Sequence, residues 1–330
     1  MKILIPMAGK GTRLRPHTLH KPKPLLKVAG KTILGHILDR IKGLDFDEVI
    51  FITNKDNASI RSYVEKNYDF KASFIIQEVA DGSGGAVFLA KDLIDEDVLI
   101  MFCDTIFDTD MSIIKKMHHD KDTDGFIWVK EVEDYQRFGV VLTDEKGYMK
   151  KIVEKPKDPI SKLANVGLYY IKNSKLMFEG LEHLYQKKIS INKEYYLTDA
   201  FQYMIDHGEN IKTVHLEGWY DCGKVETLLE TNKILLDKGH HVDSKTKNSV
   251  IIKPVFIDKD VMIENSIIGP NVSLASGSKV SNSIIQDSII DNCAVLDSIK
   301  IKDSIIGENA VVNGTFKKIN LGDYSELHLN

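Results

Sequence analysis

Apolar residues along this chain follow two different rhythms. From residue 1 to about 240, short apolar runs alternate with stretches of helical spacing. Residues 3–7, 48–53, 72–77 and 98–103 read as buried strands, with helices over 33–42 and 59–66 between them. This alternation predicts a doubly wound, Rossmann-like α/β sheet, whose ligands sit beyond the carboxyl ends of the strands. Runs over 125–130, 139–142 and 148–153 have no long helices between them. They predict a mixed-sheet region added to the first half.

After residue 250 the rhythm shortens. Asn265-Ser266-Ile267-Ile268, Asn282-Ser283-Ile284-Ile285, Asp287-Ser288-Ile289-Ile290 and Asp303-Ser304-Ile305-Ile306 are near-copies of one unit. Ile257, Ile263, Ile268, Leu274, Val280, Ile285, Ile290, Ile301 and Ile306 fall mostly five or six apart, with a wider gap around Leu296. Such a hexapeptide-like period is the signature of a parallel β-helix, in which each short strand stacks on the coil below. About 18 residues per coil would give roughly three or four coils. Residues 238–249, polar and carrying the pair His240-His241, read as a linker. Catalytic domain and β-helix domain are therefore expected at 1–240 and 241–330.

Composition narrows the class. With 330 residues, 43% apolar and 28% charged, the chain suits two ordinary globular domains. Its N-terminal apolar run is too short and too soon broken by glycine for a signal peptide or membrane span. Cys103, Cys222 and Cys293 are odd in number and widely spaced. They argue against a disulfide framework or a zinc site and favour a reducing, cytoplasmic setting. His118-His119 and His240-His241 lack spaced partners and read as surface residues.

Charge then singles out one segment. Residues 1–38 hold eight Lys or Arg and no Asp or Glu, although the whole chain carries a formal net charge of −4. The segment contains Gly9-Lys10-Gly11-Thr12-Arg13-Leu14-Arg15-Pro16 and Lys21-Pro22-Lys23-Pro24-Leu25 directly after the first strand. Paired glycines let backbone N–H groups approach a ligand, and the cations suit phosphate oxygens. A Walker motif fails, because its first glycine would stand at Leu25. A dinucleotide fingerprint fails at Leu14, where a third glycine belongs. A basic arm for nucleic acid would not need paired glycines after a buried strand, so no nucleic-acid partner is expected.

These motifs resemble the sugar-1-phosphate nucleotidyltransferases, also called sugar-nucleotide pyrophosphorylases. Their signature is Gly-x-Gly-Thr-Arg-Leu/Met-x-Pro followed by Pro-Lys-Pro-Leu, with Leu-Ala before the loop where this chain has Pro6-Met7. Within the family the chain looks most like glucose-1-phosphate thymidylyl- and uridylyltransferases. Many members carry a C-terminal β-helix, so the resemblance covers the whole chain and implies a short left-handed one here.

The resemblance implies a site. Ala8, Gly9, Gly11, Thr12, Arg13 and Lys23 would hold the triphosphate. Asp104, closing the fourth strand, looks like the first metal aspartate, and Asp221 in Trp219-Tyr220-Asp221-Cys222-Gly223 like the second, so the two would share Mg²⁺. Without the resemblance, an Asp at a strand end reads as a turn or cap. Cys103 and Cys222 adjoin these residues and read as small packing residues. Gln77, with Gly82, would read the base: its amide can donate and accept, matching the edge of uracil or thymine.

Phe138-Gly139-Val140-Val141, Glu154-Lys155-Pro156 and Asn165-Val166-Gly167 resemble the sugar segments. Gly139, Glu154 and Asn165 would meet the hexose, and Lys155 its phosphate. The expected reaction joins a nucleoside triphosphate, UTP or dTTP favoured, to a hexose 1-phosphate such as glucose 1-phosphate and releases pyrophosphate, with Arg13, Lys23 and Lys155 as catalytic residues. Alternatives are a mannose-1-phosphate guanylyltransferase, or a non-catalytic regulatory paralogue that binds sugar nucleotide; the intact phosphate and metal residues disfavour the paralogue. Acyl transfer by the β-helix is disfavoured too, because the one histidine after His241 is His328, outside the repeats. The β-helix is instead expected to drive homo-oligomerisation or to act as a regulatory cap.

Overall fold

A computed structural model describes residues 1–314 except Asp56, Pro159 and Lys245; His328 lies outside the described residues. The chain divides into one compact unit of Met1–Leu26 with Lys31–Leu228, and a second of Lys27–Gly30 with the residues from Leu229 onward.

The first unit is built on a nine-stranded mixed sheet. Its parallel half comprises β1 (Lys2–Pro6), β2 (Glu48–Thr53), β3 (Ala72–Ile76) and β4 (Val98–Met101). The strands lie in the order β3-β2-β1-β4. Every residue of β2 and β4 is buried. This is why these segments read as unbroken apolar runs and not as alternations. Helices α1 (Ile33–Arg40), α2 (Ala58–Asn67) and α3 (Ser83–Phe88) connect or cover the strands. Helix α1 starts where Thr32 accepts the Gly35 N–H at 2.9 Å, and it buries Ile33, Leu34, Ile37 and Leu38.

After β4 the chain forms β5 (Thr105–Asp108), α4 (Ile113–His119), β6 (Gly125–Glu131), β7 (Gly139–Thr143), β8 (Met149–Glu154) and β9 (Leu163–Ile171). Then follow α5 (Ser174–Lys187), α6 (Leu197–Asp206), β10 (Ile211–His215), β11 (Gly218–Asp221) and α7 (Val225–Lys238). Antiparallel β9 joins β4 to β6 and β7, completing the mixed sheet, while β5 and β11 form a separate two-stranded ribbon.

The second unit is a left-handed parallel β-helix, with three sheets of five, five and four strands among the described residues. Its coils advance by 17 residues and then by 16, as Val250↔Ile267↔Ile284↔Lys300 records. They are therefore shorter than the 18 expected from the sequence. There is also more than the expected three or four coils, because His241–Val242 and Thr246–Lys247, within the segment read as a linker, already pair as strands.

The repeated tetrapeptides have a physical reading. Asn248, Asn265 and Asn282 turn one corner with φ of 47°, 50° and 50°, a left-handed conformation that Asn tolerates. The serine after each accepts a backbone N–H from the next coil: Ser266 N–H to Ser249 Oγ at 3.0 Å, and Ser283 N–H to Ser266 Oγ at 3.0 Å. The second isoleucine points inward. Asp287 and Asp303, at φ 45° and 50°, turn a different corner, so the four near-copies belong to two stacks. The gap in the apolar spacing is filled by Leu296, which is fully buried.

Buried Asn232 of α7 shows how this unit takes in residues 27–30. Its Oδ1 accepts from Ala29 N–H at 2.9 Å and Ser273 Oγ at 2.7 Å, and its Nδ2 donates to the Asn271 carbonyl at 3.1 Å. All its polar atoms are satisfied, as burial requires.

Ile268 is fully buried and its neighbour Ile267 is 36% exposed. Ile268→Ala is expected to cost about 2–5 kcal/mol and Ile267→Ala about 0.5 kcal/mol or less, read from urea or thermal unfolding. Equal costs would contradict the inward and outward assignment.

Candidate active site

Because β1 pairs in parallel with both β2 and β4, the chain leaves the sheet at two adjacent carboxyl ends. The loop after β1 lines a cavity of about 560 Å³. Gly11, with φ 59°, bends it into a 3-10 turn, Thr12–Leu14, whose Leu14 is fully buried and anchors the loop from below. Thr18 Oγ donates to the Gly11 carbonyl at 2.8 Å. Lys23 opens a second 3-10 turn, Lys23–Leu25, against the first: a Cβ on Gly11 would lie 3.1 Å from Lys23 Cβ. Ala8, Gly9, Gly11, Thr12, Arg13 and Lys23 all face this cavity, together with Gln77, Gly82 and Asp104. A Cβ on Gly9 would meet nothing within 4 Å, so the space beside it belongs to the cavity.

Backbone pairing brings the two candidate metal aspartates to one end of the ribbon, although no cluster of three or more metal-ligating side chains forms among the described residues. In the ribbon of β5 and β11, Asp221 stands opposite Thr105, and the Cys222 N–H donates to the Asp104 carbonyl at 3.0 Å. Asp104 lines the first cavity and also a second of about 420 Å³, where Asp221 joins it. Asp221 Oδ1 accepts the Gly223 N–H at 2.7 Å, and Arg137 Nη2 stands 4.0 Å from Oδ2. Arg13 reaches the same corner, its Nη2 lying 3.2 Å from where a Cβ on Gly223 would stand. Cys103 and Cys222 are buried, and burial pushes the Cys103 thiol above its usual range, which disfavours the thiolate.

Gly139, Glu154, Lys155 and Asn165 all line the second cavity. A Cβ on Gly139 would lie 2.2 Å from Asn165 Nδ2 and 2.9 Å from Glu154 Oε2, so only glycine fits between them. Asn165 Nδ2 donates to the Gly139 carbonyl at 3.3 Å, and its Oδ1 accepts the Tyr169 hydroxyl. Glu154 Oε2 accepts the Thr198 hydroxyl at 3.1 Å. Burial raises the Glu154 carboxyl above its ordinary value, and nearby Asp199 adds to the shift; Lys155 and Thr198 oppose it without cancelling it.

Lys155 adopts φ 45°, an uncommon conformation for a non-glycine residue and one concentrated at functional sites. Its ammonium donates to Tyr196 Oη at 3.2 Å and stands 3.7 Å from Glu154 Oε1. Burial alone would lower its pKa, but Tyr196 and Glu154 outweigh burial and raise it, keeping the lysine charged.

Sequence reading missed several residues of these walls. Glu194 lines the first cavity, and Tyr196, Thr198, Arg137 and Trp219 the second. The signal available was Glu194-Tyr195-Tyr196-Leu197-Thr198-Asp199, where polar groups crowd the start of an amphipathic helix. The first cavity also changes the reading of Gln77. Its Nε2 donates to Asp81 Oδ1 at 2.9 Å and to the Gly82 carbonyl at 3.3 Å, so its donors are already engaged.

Among the described residues, no helix is long and apolar enough to cross a membrane. Residues 2–238 match the family of nucleotidyl transferases. The chain is 35% identical to the bifunctional protein GlmU of Methanocaldococcus jannaschii over 94% of its own length and 78% of that protein. It is 31% identical to the UTP–glucose-1-phosphate uridylyltransferase AglF of Haloferax volcanii over 72% of its length and 98% of that protein. A crystal structure of UDP-glucose pyrophosphorylase complexed with UDP-glucose superposes on 72% of this chain and 99% of its own with a TM-score of 0.64 at 26% identity. The chain belongs to the nucleotidyl transferases, in the sugar-1-phosphate nucleotidyltransferase superfamily, and carries their catalytic domain.

Proposed function

We propose that this enzyme joins a pyrimidine nucleoside triphosphate, UTP or dTTP, to glucose 1-phosphate and releases pyrophosphate. The observation that carries the reading is that Arg13 and Asp104 border both cavities, one holding the glycine loop and Lys23, the other holding Glu154 and Lys155. Relatives named as a uridylyltransferase and a glucose-1-phosphate thymidylyltransferase, the latter from Streptomyces griseus, support the pyrimidine and the glucose.

Two polyanions must meet at the α-phosphorus, so the chemistry asks for cations and in-line positioning. Gly9 and Gly11 amides, Arg13 and Lys23 hold the triphosphate. Lys155 holds the sugar phosphate, one of whose oxygens forms the new bond to the α-phosphorus. The bond from that phosphorus to the β-bridging oxygen breaks, and pyrophosphate departs beside Arg13. The attacking monoester is largely ionised near neutral pH, its second pKa being about 6, so no general base is required.

Asp104 and Asp221 fit Mg²⁺, because two carboxylates at one ribbon end offer the hard oxygens that it takes alongside phosphates and water. Bound there, the ion would neutralise phosphate charge. The same reading places the enzyme in the cytoplasm and gives the β-helix a role in self-association.

Pyrophosphate release with Mg²⁺, crossing UTP, dTTP, GTP, CTP and ATP with several hexose 1-phosphates, is expected to be fastest with a pyrimidine triphosphate and glucose 1-phosphate. Lys23→Ala and Asp104→Ala are each expected to lower kcat about 100-fold or more without a comparable loss of thermal stability. Near-normal turnover in either would contradict the assignment.

Ionised, Glu154 accepts from sugar hydroxyls through both oxygens; protonated, one of them becomes a donor and the stronger charge-assisted bond is lost. Since its folded-state pKa is raised, it protonates earlier than an ordinary carboxylate as pH falls. Below the substrate's own ionisation at about pH 6, kcat/KM for glucose 1-phosphate is therefore expected to fall more steeply than that single ionisation allows, and Glu154→Gln should leave only the substrate's limb. Unchanged steepness in that variant would assign the second ionisation elsewhere.

A further inference from the structure

Nitrogenous bases divide into two classes at the ring nitrogen beside their exocyclic groups. Uracil, thymine and guanine carry an imino N–H there, whereas cytosine and adenine carry a lone pair. A free glutamine amide can serve either class by turning over. Gln77 is not free. Its backbone N–H continues the sheet to the Thr53 carbonyl at 2.8 Å, and its Nε2 donates to Asp81 Oδ1 at 2.9 Å and the Gly82 carbonyl at 3.3 Å. The Gly82 carbonyl is an acceptor only, so the nitrogen must face this way. Among the described residues, Oε1 is then the amide atom left without a partner.

Asp81 is itself fixed from several sides. Its Oδ2 accepts the Tyr185 hydroxyl from α5, and its backbone carbonyl accepts the Tyr195 N–H at 2.7 Å. The Tyr185 ring packs on Tyr195 with centroids 4.1 Å apart and on Phe88 at 5.1 Å. The carboxylate fills the space beside Gly85, where a Cβ would lie 2.0 Å from Asp81 Oδ1. This explains the second glycine in Ser83-Gly84-Gly85, which the phosphate loop does not need.

We infer that Asp81, clamped by Tyr185, is a positioning residue that locks Gln77 as a hydrogen-bond acceptor, so that the site admits a base with an imino N–H and rejects one with a lone pair. UTP and CTP are matched in size and differ at this edge alone: N3–H and O4 become a bare N3 and an amino group. Against cytosine, Gln77 Oε1 would face the N3 lone pair with no donor between them. The inference rests on the nucleotide site proposed above and deepens it.

Binding of UTP and CTP in the presence of Mg²⁺, measured by calorimetry on the full chain without sugar phosphate, tests it apart from turnover. The intact enzyme is expected to prefer UTP. Asp81→Ala removes the shorter of the two bonds that orient the amide, leaving only the 3.3 Å bond to the Gly82 carbonyl, and should cut the UTP-over-CTP preference roughly tenfold, chiefly by tighter CTP binding. Tyr185→Phe, which leaves Asp81 in place with one bond fewer, should cut it by a smaller factor. In a Gln77→Ala background, Asp81→Ala should leave the ratio unchanged.

A merely structural role would weaken both nucleotides alike and would do so in either background. An unchanged ratio in both Asp81→Ala and Tyr185→Phe, or the same fall without Gln77, overturns the inference. Intact enzyme that binds CTP as tightly as UTP also overturns it, while leaving nucleotidyl transfer standing. Intact enzyme that binds neither overturns the proposed site together with it.

Discussion

Strand Lys2–Pro6 is hydrogen-bonded in parallel to Glu48–Thr53 on one side and to Val98–Met101 on the other. The chain runs from it outward through Glu48–Thr53 to Ala72–Ile76 and then crosses back to Val98–Met101 on its other side, so a crevice opens at the carboxyl ends where the strand order reverses. The glycine loop exits into that crevice from the first strand, and Asp104 exits into it from the fourth. Ile3, Leu4 and Ile5 are fully buried, so this central strand cannot slip without exposing the core. Every later element of the site is measured from this fixed edge.

Around the edge, charge is distributed by sign. Arg13 and Lys23 come from one loop and the turn facing it, Asp104 and Asp221 from neighbouring ends of a ribbon, and Lys155 from the end of a sheet strand. In the proposed reaction each reactant phosphate brings more negative charge than its neighbour can tolerate. A cleft that holds separate cations for the two reactants, with carboxylates suited to a dication between them, is the economical arrangement for that problem. Lys155 illustrates the cost, being held in a left-handed backbone conformation that an unconstrained lysine rarely adopts.

Much of this was legible in the sequence because local chemistry dictated it. Fully buried parallel strands have to be continuous apolar runs, and the β1 loop concentrates glycine and cations in one short stretch. The β-helix announced itself through Asn-Ser-Ile-Ile, since each residue type has one job at its corner. Coil length and the sorting of the near-copies into two stacks were not legible, because they depend on inter-coil register. Tyr196 and Thr198 escaped notice because helix α6 supplies both a core face and a cavity wall. Gln77 was read as a base-reading candidate, but its amide orientation was not legible, since it depends on Asp81, which is itself held by Tyr185, 104 residues further along the chain.

The central claim is that an oxygen of the sugar phosphate attacks the α-phosphorus of the nucleotide inside this crevice. Glucose 1-phosphate labelled with ¹⁸O in its phosphate, incubated with UTP or dTTP and Mg²⁺ and followed by ³¹P NMR, tests that bond directly. The account predicts that all the label stays in the nucleotide sugar, with part of it in the bridge between the two phosphorus atoms, and that the released pyrophosphate carries none. Label in pyrophosphate, or pyrophosphate formed without any nucleotide sugar, would contradict it.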